Sequence, residues 1–210
     1  MPGLEYLFSD LPPQVHFVGA LLATPPADTA LPAWWVEVTA KQRPVVLMTQ
    51  GTFATDPREL IVAAVASLAG EELLVLVVGA SPEALDLGTI PANVQITPFI
   101  PFGLTLPHVN MFVTNGGFGG VQYALANGVP MVIGGATEDK PEVANRVARA
   151  GVGINLKTAR PRTRSATPSR RSCAPPATAN RRDGSKPNWH STTPQLERRC
   201  RSRHMIRYIY

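Results

Sequence analysis

Two strand–turn–helix patterns follow one another without a gap between Phe112 and Gly153. They restrict the chain to folds in which parallel strands are joined through helices. The apolar run Met111–Val113 ends in the turn Asn115-Gly-Gly-Phe-Gly-Gly120, and apolar residues then recur at Phe118, Val121, Ala124 and Leu125 before Gly128. That spacing predicts a strand, a tight turn and a helix stopped by glycine. Val129–Ile133 predicts the next strand, and a helix from Asp139 or Pro141 to Ala150 follows, closed by Gly151. Upstream, Val45–Thr49 reads as a strand and Gln50-Gly51-Thr52 as a turn. Asp56-Pro57-Arg58-Glu59 supplies an N-cap, a proline at the first helical position and a glutamate three residues after the cap. The helix it predicts carries Leu60, Ile61, Ala64, Val65 and Leu68 and ends near Gly70. Leu73–Val78 and Val94–Thr97 are unbroken apolar or near-apolar runs, as strands covered on both faces require. The expected fold class is α/β, a Rossmann-like doubly wound parallel sheet. Its ligand edge lies at the carboxyl ends of the strands, where Gly51-Thr52 and Asn115–Gly120 both fall.

Charge divides the chain. Residues 1–159 hold seven Lys and Arg against thirteen Asp and Glu, whereas residues 160–210 hold thirteen against two. The overall +5 is therefore a sum of unlike parts, and it gives no reason to expect nucleic acid as a partner of the folded region. Both cysteines, Cys173 and Cys200, lie in the basic part, so the expected domain has no disulfide or thiolate metal site. No apolar run reaches membrane-spanning length, and no charged-then-apolar leader begins the chain. The expectation is a cytoplasmic protein without a membrane span.

Glycines ahead of a helix let backbone N–H groups converge on one point, and the helix dipole adds partial positive charge there. The Asn115–Gly120 turn is thus either an anion cradle or only a tight strand-to-helix turn. It is neither of two familiar nucleotide motifs. After Gly117 and Gly119, position 122 is Gln rather than Gly, and Lys140 is followed by Pro141 rather than Ser or Thr.

Taken together, Asn115-Gly-Gly117, the helix, Gly128-Val-Pro130, the strand, the Asp139–Lys140 couple and the helix ending in Gly151-Val-Gly153 resemble a known signature. It is the donor-sugar signature of the family 1 glycosyltransferases, enzymes of GT-B fold that use UDP- or dTDP-sugars. The branch acting on macrolides and glycolipids in bacteria is the most similar. Weaker resemblance extends from Leu11 to Leu156. It implies three regions: residues 1–42 as an interdomain leader, 43–158 as the nucleotide-sugar donor-binding domain, and 159–210 as a tail. A segment similar to Asp10–Gly19 leads from the acceptor domain into the donor domain in that family. The chain would accordingly be a truncated donor-binding half, with the acceptor domain a separate N-terminal partner.

The resemblance also implies roles for residues. Phe99 would stack on the nucleobase and the Ile100 backbone would meet the base edge; otherwise Phe99 and Phe102 are core. Asn115, Gly116, Gly117, Gly119 and Gly120 would cradle the diphosphate, with Thr52 reaching it from the first turn. Asp139 and Lys140 would read hydroxyls of the sugar, or else Glu138 and Asp139 simply favour a helix N-terminus. Where many relatives have His at 115 and Glu at 123, this chain has Asn and Tyr. His108 reads as a structural hydrogen-bonder. The implied reaction is inverting hexosyl transfer to the hydroxyl of a small-molecule or lipid acceptor, without metal or cofactor. The family's catalytic base lies in the N-terminal domain, so no catalytic residue is assigned in this chain. The alternatives are a lipid-linked N-acetylglucosaminyltransferase, a nucleotide-sugar epimerase, or a non-catalytic nucleotide-sugar-binding module.

From Arg160 the apolar periodicity stops, and Arg, Pro, Ser, Thr and Ala dominate. Such a composition predicts disorder. It fits either a basic arm or a change of reading frame, since Arg171–Asn180 can be re-read as a helix-like segment in another frame.

Overall fold

The computed structural model describes residues 3–6, 8–51 and 56–157. Thr52, the tail and both cysteines lie outside the described residues, so the expectations placed on them do too.

Six parallel strands form one sheet: β1 (Val45–Thr49), β2 (Leu74–Val78), β3 (Val94–Thr97), β4 (Met111–Thr114), β5 (Met131–Ile133) and β6 (Gly153–Asn155). Their order is β3-β2-β1-β4-β5-β6, with β1 in register against both β2 and β4. The chain winds outward from β1 in one direction and from β4 in the other, which is the doubly wound arrangement expected. Helices α1 (Trp35–Ala40), α2 (Ile61–Leu68), α3 (Pro82–Leu85), α4 (Phe102–Thr105), α5 (Phe118–Ala126) and α6 (Lys140–Arg149) complete the elements.

The unbroken apolar runs are explained by cover on both faces. Val46, Met48, Val75, Val77 and Val113 pack against Leu60, Ile61, Val65 and Leu68 of the α2 region. Leu47, Leu76, Phe112, Met131 and Ile133 point the other way, against Val38 of α1, Val121 and Ala124 of α5, and Val143, Ala144 and Val147 of α6. Trp34 and Trp35 pack on the rim of this second layer.

The expected helix after Asp56 begins differently. Asp56 does cap, accepting from the Arg58 N–H at 3.0 Å. It caps a single 3₁₀ turn, Pro57–Glu59, and Leu60 at φ −140° breaks the backbone before α2 starts. The N-terminal residues also pack on the domain. Leu4 is buried, the Arg146 and Arg149 guanidinium groups of α6 stack on the Tyr6 ring at 5.2 and 4.7 Å, and Arg146 pairs with Glu5.

Candidate functional site

Where the winding reverses, the loops after β1 and β4 diverge and open a crevice at the carboxyl ends of the strands. A cleft of about 970 Å³ occupies that place. Its floor is closed by the chain itself. The Asn115 side-chain amide donates to the Gln50 carbonyl, and its Oδ1 accepts from the Gly117 N–H at 3.2 Å. One side chain thereby ties the first turn to the second. The turn after β5 closes on the same spot: a Cβ at Gly135 would stand 1.7 Å from the Asn115 carbonyl oxygen. Sequence reasoning missed Gly135; its only signal was a second glycine after the strand ending at Ile133.

The glycines of the expected cradle prove unequal. Gly116 (φ +97°) is buried and does not line the cleft, and a Cβ there would meet Ile133 Cγ2 at 2.7 Å. Gly120 leaves room for the Phe112 ring, 3.3 Å from its Cβ position. Gly119 faces open space. Asn115, Gly117, Gly119 and Gly120 do line the cleft. The amides of Gly116 and Gly117 are already bonded, to Thr114 Oγ1 and Asn115 Oδ1. The next three, on Phe118, Gly119 and Gly120, begin α5 and have no acceptor within the helix. Such an edge is chemically suited to an anion.

The side walls come from distant parts of the chain. Phe99 is 72% exposed and lines the cleft, while its neighbour Ile100 is 3% exposed. Phe99 is therefore not core. Phe102 is half-buried and also lines the cleft, packing edge-on to the buried Phe112 and to Tyr123 at 5.6 and 6.2 Å. The segment Ala23–Pro26 also lines the cleft. The Tyr123 hydroxyl accepts from the Ala23 N–H at 2.9 Å and donates to the Ala23 carbonyl at 3.0 Å. Gln122 Oε1 accepts from the Leu21 N–H at 3.0 Å, and Pro25 packs where a Gly103 side chain would be. The tyrosine that departs from the family pattern thus straps the leader to α5. Nothing in a linear reading connects residues a hundred positions apart.

Asp139 and Lys140 reach the cleft at the start of α6. Asp139 occupies the N-cap position without a side-chain capping bond, and it is exposed. Lys140 is buried, with its Nζ on the Glu138 carboxylate and 3.4 Å from Thr137 Oγ1. Glu138, Asp139 and Lys140 are the only formally charged groups among the described residues lining the cleft, and no histidine is among those residues. His108 lies elsewhere, edge-on to Trp35 at 5.6 Å. Its Nδ1 is buried without a hydrogen-bond partner, so the structural hydrogen bond expected there is replaced by ring packing. Burial first, and Lys41 second, lower its pKa from the ordinary 6.5. Among the described residues no group of three His, Cys, Asp or Glu could hold a metal ion, and no helix is long and apolar enough to cross a membrane.

Strand order and cleft position define a Rossmann-like α/β domain whose opening lies at the switch point. Residues 59–173 match the model of the erythromycin biosynthesis protein CIII-like C-terminal domain. The chain is 48% identical over 160 residues to 4'-demethylrebeccamycin synthase of Lentzea aerocolonigenes, covering 76% of this chain and 37% of that protein. It is 41% identical over 167 residues to UDP-glucosyltransferase 1 of Beauveria bassiana, covering 78% and 36%. Glycosyltransferase VinC, crystallised in complex with dTDP, superposes with a TM-score of 0.51 at 30% identity, over 60% of this chain and 31% of that one. The chain belongs to the GT-B glycosyltransferases, as a member of the erythromycin biosynthesis protein CIII-like C-terminal domain family. It spans little more than a third of the length of the curated relatives it matches.

Proposed function

We propose that this chain is the donor-binding half of an inverting glycosyltransferase that takes a hexosyl group from a UDP- or dTDP-sugar. The observation that carries the reading is the convergence, in one switch-point cleft, of three acceptor-less amides at the α5 N-terminus and an exposed aromatic ring, Phe99. In this reading Phe99 faces the base and the Ile100 backbone meets its edge. Asn115, Gly117, Gly119 and Gly120 surround the diphosphate, Gly116 supports the turn from behind, and Thr52 contributes from the β1 turn. Asp139 and Lys140 face the sugar end. The names of the relatives favour this over a lipid-linked N-acetylglucosaminyltransferase or an epimerase.

Transfer breaks the bond between the anomeric carbon and the diphosphate oxygen, with the electron pair leaving on the diphosphate. The acceptor oxygen bonds to the opposite face of that carbon and gives its proton to a base. The described cleft offers amides for the leaving group but no histidine as base. A separate N-terminal acceptor domain would supply the base and the site for a small-molecule or lipid hydroxyl. We place the protein in the cytoplasm and the reaction outside metal dependence. Calorimetric titration with UDP and dTDP tests the binding half of this reading, and a folded sample without saturable heat for either sinks it. Addition of an intact N-terminal half tests the rest. Restored sugar transfer identifies an enzyme half; binding without transfer identifies a non-catalytic nucleotide-sugar-binding module.

A further inference from the structure

We infer that Lys140 is the counter-cation for the donor diphosphate, held in reserve by Glu138 until that anion arrives. The inference rests on the donor-binding reading and reassigns Lys140 from the sugar to the phosphates. The charge of the described lining favours such a role. Its described lining carries two carboxylates and one ammonium, a net −1. A nucleoside diphosphate brings about two to three further negative charges, which backbone amides alone would have to meet.

Placement singles out the lysine. Its Cβ lies 3.7 Å from the Cβ position of Gly116 and 2.9 Å from that of Gly135. The base of the Lys140 side chain therefore packs behind the glycine turn, at the floor of the cleft it lines, and the residue is only 5% exposed. Asp139, beside it, is exposed and free of a capping bond. The couple thereby divides: the carboxylate is open to hydroxyl donors, and the lysine enters the cleft from beside the glycine turn with its ammonium on Glu138.

The partner of the ammonium fits a provisional role. Glu138 adopts φ +57°, an uncommon conformation for a residue with a side chain. That kink carries its carboxylate onto Lys140, two residues away, although the Glu138 side chain stays 56% exposed. A solvated carboxylate with one charge competes poorly for an ammonium against a diphosphate that is more highly charged and already held by amides. Binding would exchange one partner for the other, and Glu138 would return to water.

Calorimetry on the full chain separates these roles, with dTDP and UDP as ligands and thymidine and uridine as controls. Lys140→Met should weaken diphosphate binding by about tenfold or more and leave nucleoside binding within about twofold. Glu138→Gln, which removes the competing charge without shortening the side chain, should tighten diphosphate binding by about threefold. Lys140→Arg should retain most of the affinity. If Lys140→Met keeps full dTDP affinity and loses only the added affinity of a dTDP-sugar, Lys140 is a sugar reader and the inference fails. Equal losses for nucleoside and diphosphate overturn it as well, as does weaker binding by Glu138→Gln. If the wild-type chain binds neither diphosphate, the donor reading itself falls and carries this one with it.

Discussion

The floor of the cleft and its walls are built on opposite terms. On the floor, Asn115, Gly116 and Gly135 are buried and committed: the amide of Asn115 is spent on Gln50 and Gly117, and a methyl group at Gly135 would collide with backbone. On the walls, Phe99 stands 72% exposed and Gly119 faces open space. Floor residues have a sufficient reason in folding alone. A phenyl ring left in water and a helix-start glycine with nothing beside it have none, so the walls carry the functional argument and the floor carries the geometry.

Substitutions can break that contrast, and the floor should respond most. Gly135→Ala places a Cβ 1.7 Å from the Asn115 oxygen, so it should cost about 3 kcal/mol or more of stability. A large drop in thermal midpoint reads that out; an unchanged midpoint would mean the three turns are not closed on one another. Phe99→Ala should leave the midpoint unmoved while weakening dTDP or UDP binding by about 1–3 kcal/mol. Equal affinity would return Phe99 to the status of an exposed ring without a task. Tyr123→Phe removes both bonds to Ala23 and should cost about 1 kcal/mol, with faster amide exchange at Ala23 as its signature. Gly119→Ala sharpens the comparison most finely. It should stabilise α5 by some tenths of a kcal/mol, up to about 1, while reducing diphosphate affinity. A gain in both would show that no ligand approaches that backbone.

The smallest effect concerns acid. Because the pKa of His108 is lowered on folding, the unfolded chain binds the proton more readily. The stability linked to this group is full above the ordinary imidazole pKa of 6.5 and is lost as the pH falls through the lower folded value. His108→Gln should flatten that limb of a stability–pH curve. An unaltered slope would place the acid sensitivity elsewhere.

What the sequence made legible follows from the range over which each signal acts. Five strands, α5 and α6 were readable because apolar period and glycine stops are local. β6 is three residues with one large apolar side chain, Ile154, too short for any period to register. α1, α3 and α4 have six, four and four residues, too short for a helical period to register. The Ser81 hydroxyl, which accepts from the Ala84 N–H at 3.3 Å, was the one cap that could have flagged α3. At the site, the turn and the Asp139–Lys140 couple were visible as motifs. The Asn115–Gln50 tie, the Gly135 approach and the Tyr123–Ala23 strap were not, since each joins residues that only the sheet order brings together.

The strap has a mechanical consequence. Because α5 grips Leu21 and Ala23 through adjacent side chains, a pull on the polypeptide ahead of Leu21 is delivered to the helix whose leading amides face the cleft. Tension in that strand and occupancy of the cleft would then be sensed by a single rigid rod, and each would alter the other.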